Sequence, residues 1–157
     1  MSREPAVLVV EDEQALETLS DRYDAVLLDR RMPVVPGSEV LAYIEEHDFE
    51  CRVAMVTAVS PDFDIIDLRI DEYLVKPITQ SEMHDTVERL LTLQVYTERL
   101  QELTSKKLKR NVIRVENQTV ELEKSAEFQA LNAEIDALES EVETIADDLG
   151  VDNIGTR

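Results

Sequence analysis

The first ninety residues alternate short apolar runs with amphipathic stretches. Ala6-Val-Leu-Val-Val10 and Ala25-Val-Leu-Leu28 are continuous apolar runs, too short for helices and of the length expected for strands buried on both faces. Arg52-Val-Ala-Met-Val-Thr57 and Glu72-Tyr-Leu-Val75 repeat the pattern. Between them, Leu16, Leu19 and Tyr23 fall at helical spacing and predict a helix over 13–22, while Val40, Leu41 and Ile44 predict one near 38–47. Ser60-Pro61 has the form of an N-cap followed by proline at the first helical position, so a further short helix is expected there. Strands alternating with helices imply βαβ units and a parallel sheet covered on both faces.

The second half changes period. Thr79-Gln-Ser-Glu82 has the form of a capping box and opens a long helix. All three glycines and all five prolines lie outside 78–149, so this stretch is expected to be mostly helical. Phe128, Leu131, Ile135, Leu138, Val142, Ile145 and Leu149 are spaced four and three in turn, a heptad seam. Leu93, Tyr96, Leu100 and Leu103 give a shorter seam upstream, and the polar, irregular segment 104–118 is the expected bend. The seams suit either a helical hairpin or a self-associating coiled-coil arm.

Charge divides the chain further. Residues 1–92 carry 8 basic and 21 acidic side chains, residues 93–124 carry 7 and 5, and residues 125–157 carry 1 and 9. The expected domains are accordingly 1–92 and 93–157, the latter ending in a short disordered tail. The formal net charge is −19, and only five of the sixteen basic residues are Lys. An acidic, lysine-poor surface points to a halophilic setting. No apolar stretch approaches the length of a membrane span, and the lone Cys51 offers neither a disulfide nor a metal cluster. A soluble, cytoplasmic protein is expected.

Candidate chemistry gathers where a parallel sheet presents its strand ends, the usual place for ligands in open α/β folds. Glu11 and Asp12 follow the first strand and Asp29 ends the second, while Thr57 and Lys76 end the third and fourth. Three neighbouring carboxylates repel one another unless a cation joins them, and an all-oxygen donor set suits Mg²⁺. Such a rim can hold a phosphoryl group. Asp29 would be the nucleophile, the metal and Lys76 would counter the oxygens' charge, and Thr57 would supply a hydrogen bond.

At Val-Val-Glu11-Asp12, Leu-Leu-Asp29-Arg-Arg-Met-Pro33 with Gly37, Val-Thr57-Ala and Tyr73-Leu-Val-Lys76-Pro77, the sequence resembles the response-regulator receiver domain of two-component signalling. The tail resembles, more loosely, the helical HalX domain that follows receivers in haloarchaea. The resemblance implies a flavodoxin-like α/β fold and phosphorylation of Asp29 by a histidine kinase. It implies Mg²⁺ held by Asp12, Asp29 and the backbone carbonyl of Arg31, with Glu11 supporting. It makes Thr57 and Tyr73 the switch pair, Lys76 the phosphoryl partner and the Lys76–Pro77 peptide cis. Such a protein is a phosphoacceptor rather than an enzyme, with at most self-phosphorylation and dephosphorylation.

The sequence departs from the family in one respect. Only sixteen residues separate Asp12 from Asp29, so one helix and one strand are missing. A truncated, four-stranded parallel sheet is expected, in which Ala6–Val10 becomes an exposed apolar edge that invites pairing. The C-terminal helices or a second protomer are expected to cover it, so a homodimer would form through this edge or through the helical arm. Two other functions compete with phosphorelay. One is a receiver-derived binding or oligomerisation module that no longer takes phosphate. The other is a DNA-binding transcriptional regulator using Lys106, Lys107, Lys109, Arg110 and Arg114, the one basic cluster. Pairing of that cluster with the acidic residues of 125–148 is the favoured reading, because phosphate contacts weaken steeply in concentrated salt.

Overall fold

The computed structural model describes residues 4–10, 18–29, 37–117 and 121–150. The chain divides into two compact units, Met1–Gln94 and Val95–Arg157. The first is built on four parallel strands, β1 (Val7–Val10), β2 (Ala25–Leu28), β3 (Arg52–Thr57) and β4 (Glu72–Val75), in the spatial order β1-β2-β3-β4. Helix α1 (Gly37–Glu46) lies between β2 and β3 in sequence, and α2 (Gln80–Glu116) follows β4. The expected truncated parallel sheet is therefore the observed one.

The continuous apolar runs are explained by burial on both faces. All four residues of β2 are buried, as are Val53–Thr57 of β3. Side chains alternate between the faces with the period of two that a pleated strand imposes. On one face Val10, Val26, Leu28, Val53 and Met55 pack with Val40, Leu41 and Ile44 of α1. On the other, Ala25, Leu27, Ala54 and Val56 pack with Leu90, Met83 and Val87 of α2. Each large apolar side chain so enclosed is worth about 1.5–3 kcal/mol. Two aspartates tie the strand starts together. Ala6 N–H donates to Asp24 Oδ2 at 2.9 Å, and Val53 N–H donates to Asp71 Oδ2 at 2.9 Å.

The edges of the sheet are less covered. In β1 only Val10 is buried, and Val7 and Val9 are 36% and 52% exposed. Among the described residues no strand pairs with the outer side of β1.

Local signals governed the helices unevenly. The Thr79 cap forms, with Glu82 N–H donating to Thr79 Oγ1 at 3.1 Å. The short helix expected from Ser60-Pro61 is instead a 3₁₀ turn, Phe63–Asp67, whose cap is Asp62. The Asp62 carboxylate accepts from Phe63 N–H at 2.7 Å, so Asp62, as good a capping residue as serine, starts the turn two residues later. Residues 13–17 of the helix predicted over 13–22, the loop with Pro33 and Pro36, and the tail beyond Gly150 lie outside the described residues; of the rest of that helix only Thr18 is helical, and Leu19–Arg22 instead form the turn that leads into β2.

In the second unit, the last part of α2 packs against α3 (Ala126–Leu149). Leu103, Ile135 and Leu138 form its core, with Leu131 and Val142 beside them. The order of the contacts is antiparallel, with Arg99 on Glu141, Lys106 on Glu134 and Arg110 on Asn132. The pair is thus a helical hairpin, and the main seam closes within the chain. Two expectations are corrected here. Segment 104–116 is unbroken helix rather than a bend, because it holds no glycine or proline and its lysines, arginines and leucines are good helix formers. The upstream seam is also incomplete: Leu103 is buried but Leu100 is 39% exposed. Ser125 caps α3, and Gly150 ends it at φ 68°, a left-handed conformation that glycine adopts without strain.

Candidate functional site

Parallel pairing in register brings the carboxyl ends of β2, β3 and β4 to one rim. Asp29 stands one residue beyond β2, anchored by its N–H on the Val10 carbonyl at 3.3 Å. Thr57, the last residue of β3, is 1% exposed. Lys76 follows β4, and its N–H donates to the Thr57 carbonyl at 2.8 Å. The main chain of Lys76 is therefore pinned to the neighbouring strand, and its side chain extends across the end of β3. There Lys76 Nζ meets Asp29 Oδ2 at 3.0 Å. The two groups come from the first and third members of a row of three strands, 47 positions apart in sequence. The Lys76–Pro77 peptide is cis.

The carboxylate is 23% exposed and the ammonium 47%, so the pair is open to reagents in solution. An ionised carboxylate has about four acceptor positions, so Asp29 can hold Lys76 and still accept from other partners. Beside the pair lies an apolar cleft of about 600 Å³, floored by Val9, Leu27 and Val56 and walled by Pro77, Ile78 and Met83.

A second arrangement sits behind the rim. Thr57 Oγ1 accepts from Val59 N–H at 3.3 Å, and Tyr73 Oη donates to the Val59 carbonyl at 2.7 Å. Thr57 and Tyr73 thus both hold the loop after β3, through the one residue that sequence reasoning missed. Val59 contributes only main-chain atoms. The available signal was Thr57 itself, since a threonine at a strand end commonly accepts from the N–H two residues on. Tyr73 also packs on the α1 face of the sheet, next to the core that contains Met55.

Glu11, Asp12 and Arg31 lie outside the described residues, so Asp29 is the described member of the expected cation set. Among the described residues no three His, Cys, Asp or Glu side chains converge on a common point.

The basic cluster of α2 is largely drawn into the hairpin. Lys106 pairs with Glu134 at 2.8 Å and Lys107 with Glu139 at 2.7 Å. Arg110 donates to Asn132 Oδ1 at 3.1 Å, and Arg114 lies over the Phe128 ring, 5.5 Å from its centroid. Glu134 raises the pKa of Lys106, and the Lys107 ammonium lowers that of Glu139. Lys109 projects into solvent. Among the described residues, no helix is long and apolar enough to cross a membrane.

Comparison with known proteins places these features. A model of the response regulator receiver domain matches residues 7–88, and a model of the HalX domain matches residues 92–155. A candidate transcriptional regulator of Haloferax volcanii is 57% identical over 79 residues, covering 50% of this chain and 14% of that protein. The transcriptional regulatory protein CutR of Streptomyces coelicolor is 37% identical over 87 residues, covering 53% of this chain and 40% of CutR. The chain thus spans well under half the length of these relatives. Among solved structures, the signal receiver domain of a candidate Luxo repressor protein from Vibrio parahaemolyticus superposes with a TM-score of 0.51 at 22% identity. It covers 61% of this chain and 96% of that one, which supports the shared fold. A DNA-binding response regulator of the LuxR family from Staphylococcus aureus gives a TM-score of 0.50 at 19% identity, over 56% of this chain and 99% of that one. A sheet whose strand ends carry Asp29, Thr57 and Lys76 and a receiver match over more than half of the sequence lead to one assignment: the chain belongs to the response regulator receiver domain family, with a HalX domain after the receiver.

Proposed function

We propose that this chain is the phosphoacceptor of a two-component pathway, with Asp29 as the acceptor and a histidine kinase as the donor. The observation that carries the reading is the contact of Lys76 Nζ with Asp29 Oδ2 across the end of β3. Phosphoryl transfer asks little covalent chemistry of a protein and much positioning and charge stabilisation. An Asp29 oxygen attacks phosphorus, the bond from phosphorus to the donor imidazole nitrogen breaks, and the imidazole leaves to be reprotonated from solvent. Lys76 then serves the phosphoryl oxygens as it now serves the carboxylate, and the Thr57 hydroxyl, at the end of the intervening strand, donates to them.

Mg²⁺ fits the donor chemistry, because the set is all oxygen and Asp29 lies on an open rim. Asp12, Asp29 and the Arg31 carbonyl would hold the ion, with Glu11 supporting, and the ion would neutralise charge on the transferring group. Thr57 and Tyr73 form the switch. Thr57 turns toward the new phosphoryl group, gives up its contact with Val59 and lets the loop and Tyr73 rearrange. The HalX hairpin carries that change to a partner. The salt bridges of Lys106 and Lys107 favour the reading in which the basic cluster stabilises the hairpin over one in which it grips DNA.

The test is incubation with Mg²⁺ and a small phosphodonor such as acetyl phosphate in molar KCl, followed by intact mass measurement. One phosphoryl adduct is expected, absent without Mg²⁺ and absent in Asp29→Asn. A folded protein that takes no adduct would leave a receiver-derived binding module in its place.

A further inference from the structure

The hairpin uses one side of α2 and leaves another unused. Arg99, Leu103, Lys106, Arg110 and Arg114 all meet α3 and repeat at three- and four-residue steps. At 3.6 residues per turn, Leu108, Val112 and Val115 fall on the opposite side. They are 61%, 62% and 67% exposed. A single exposed leucine is ordinary, but three large apolar side chains stepping four and three along one face form a seam that meets no partner among the described residues.

Charge decides what fits there. Residues 1–92 and 125–157 are strongly acidic, so two copies of this chain repel one another over most of their surface. Residues 93–124, with 7 basic and 5 acidic side chains, are the stretch where that repulsion vanishes, and the stripe lies inside it. The stripe is also complementary to itself. With two α2 helices antiparallel and the axis between Asn111 and Val112, Leu108 of each copy faces Val115 of the other. Lys109 and Glu116, which share one flank of the stripe, then lie within reach of each other's opposite charge across the axis. An apolar stripe offers nothing to a phosphate backbone, and the other basic residues of α2 in this segment meet α3 or its neighbouring side chains.

We propose that Leu108, Val112 and Val115 form a self-association surface that receives a second copy of this chain, with the two α2 helices antiparallel. Three side chains per copy bury less than the roughly 1,200 Å² of a stable complex, so the dimer is transient and concentration-dependent. Salt favours it, because the screening length falls to about 3 Å at 1 M and the acidic bodies no longer repel. This device is independent of Asp29 chemistry, so it stands or falls apart from the phosphorelay reading.

Sedimentation equilibrium of the full chain in 2 M KCl tests it. The weight-average mass should climb toward twice that of the chain as concentration rises, and Leu108→Glu or Val112→Glu should hold it at the monomer with unchanged circular dichroism. Orientation is read by disulfide trapping in a Cys51→Ser background. Val112→Cys should cross-link across the axis and Leu108→Cys should not, whereas a parallel pairing would link both. A monomer at every concentration would overturn the proposal. So would a dimer indifferent to both Glu variants, which would point to the β1 edge. A mobility shift of duplex DNA lost in Val112→Glu, without any loss of mass, would also overturn it.

Discussion

The sheet and the hairpin bury apolar surface in different ways. Every residue of β2 is enclosed, with α1 on one face and α2 on the other. The hairpin closes on a narrow seam of Leu103, Ile135 and Leu138, framed by exposed ion pairs. Hydrophobic enclosure does not depend on ionic strength as exposed charge pairs do. The Asp29–Lys76 rim therefore stands on the part of the molecule least altered by salt, with Asp29 one residue past β2 and Thr57 closing β3. The hairpin's polar frame, made of exposed pairs, is weak by comparison.

The comparison breaks most sharply at β2. Leu28 is fully buried, so Leu28→Ala should cost about 3–5 kcal/mol in urea unfolding followed in molar KCl. A loss below about 1 kcal/mol would mean that the sheet relaxes around the gap and is no stiffer than the hairpin. Ile135 is as deeply buried but in a thinner core, so Ile135→Ala should cost about 2–4 kcal/mol. That variant also tests the separation of the two regions. Helical signal at 222 nm should fall at lower urea than in the parent, while acetyl phosphate still loads Asp29. Loss of both together would show that the regions unfold as one.

Much of this was legible in the sequence because the strands are buried on both faces. A parallel strand so placed must be apolar throughout, and a polar residue at its end, such as Asp29, Thr57 or Lys76, stands out. That Asp29 and Lys76 share a rim followed from their places at strand ends, but their direct contact needed the pinning of Lys76 to Thr57, which belongs to tertiary structure. Val59 was invisible because it acts through its main chain. The helix over 104–116 was misread for a different reason. Its Leu108, Val112 and Val115 lie toward solvent, on the side opposite the one by which Leu103 meets α3, so the upstream seam does not continue through them. The choice between hairpin and open coiled coil rested on which acidic residue each lysine meets, and seam spacing alone carries no such information.

A smaller effect is expected behind the rim. Tyr73→Phe removes the 2.7 Å bond to the Val59 carbonyl and should cost about 1 kcal/mol. Phosphorylation should persist, since Tyr73 does not touch Asp29. If the adduct disappears as in Asp29→Asn, Tyr73 belongs to the chemistry rather than to the switch.

The smallest expected effect lies in the hairpin's frame. Lys107 and Glu139 are 42% and 46% exposed, and the ammonium holds the Glu139 carboxyl below the usual glutamate range. A depressed carboxyl pKa stabilises the folded state above the unfolded value, near 4.3, and that contribution is lost as pH falls through the folded value. At low ionic strength, Lys107→Met should therefore be less stable than the parent at pH 6, and the gap should close as pH drops below 4. In 2 M KCl the gap should nearly vanish at both pH values, because exposed pairs are screened. A gap that survives 2 M KCl at pH 6 would show that the lysine's alkyl chain, packed along α3, holds the hairpin rather than its charge. The polar frame would then be as insensitive to salt as the sheet.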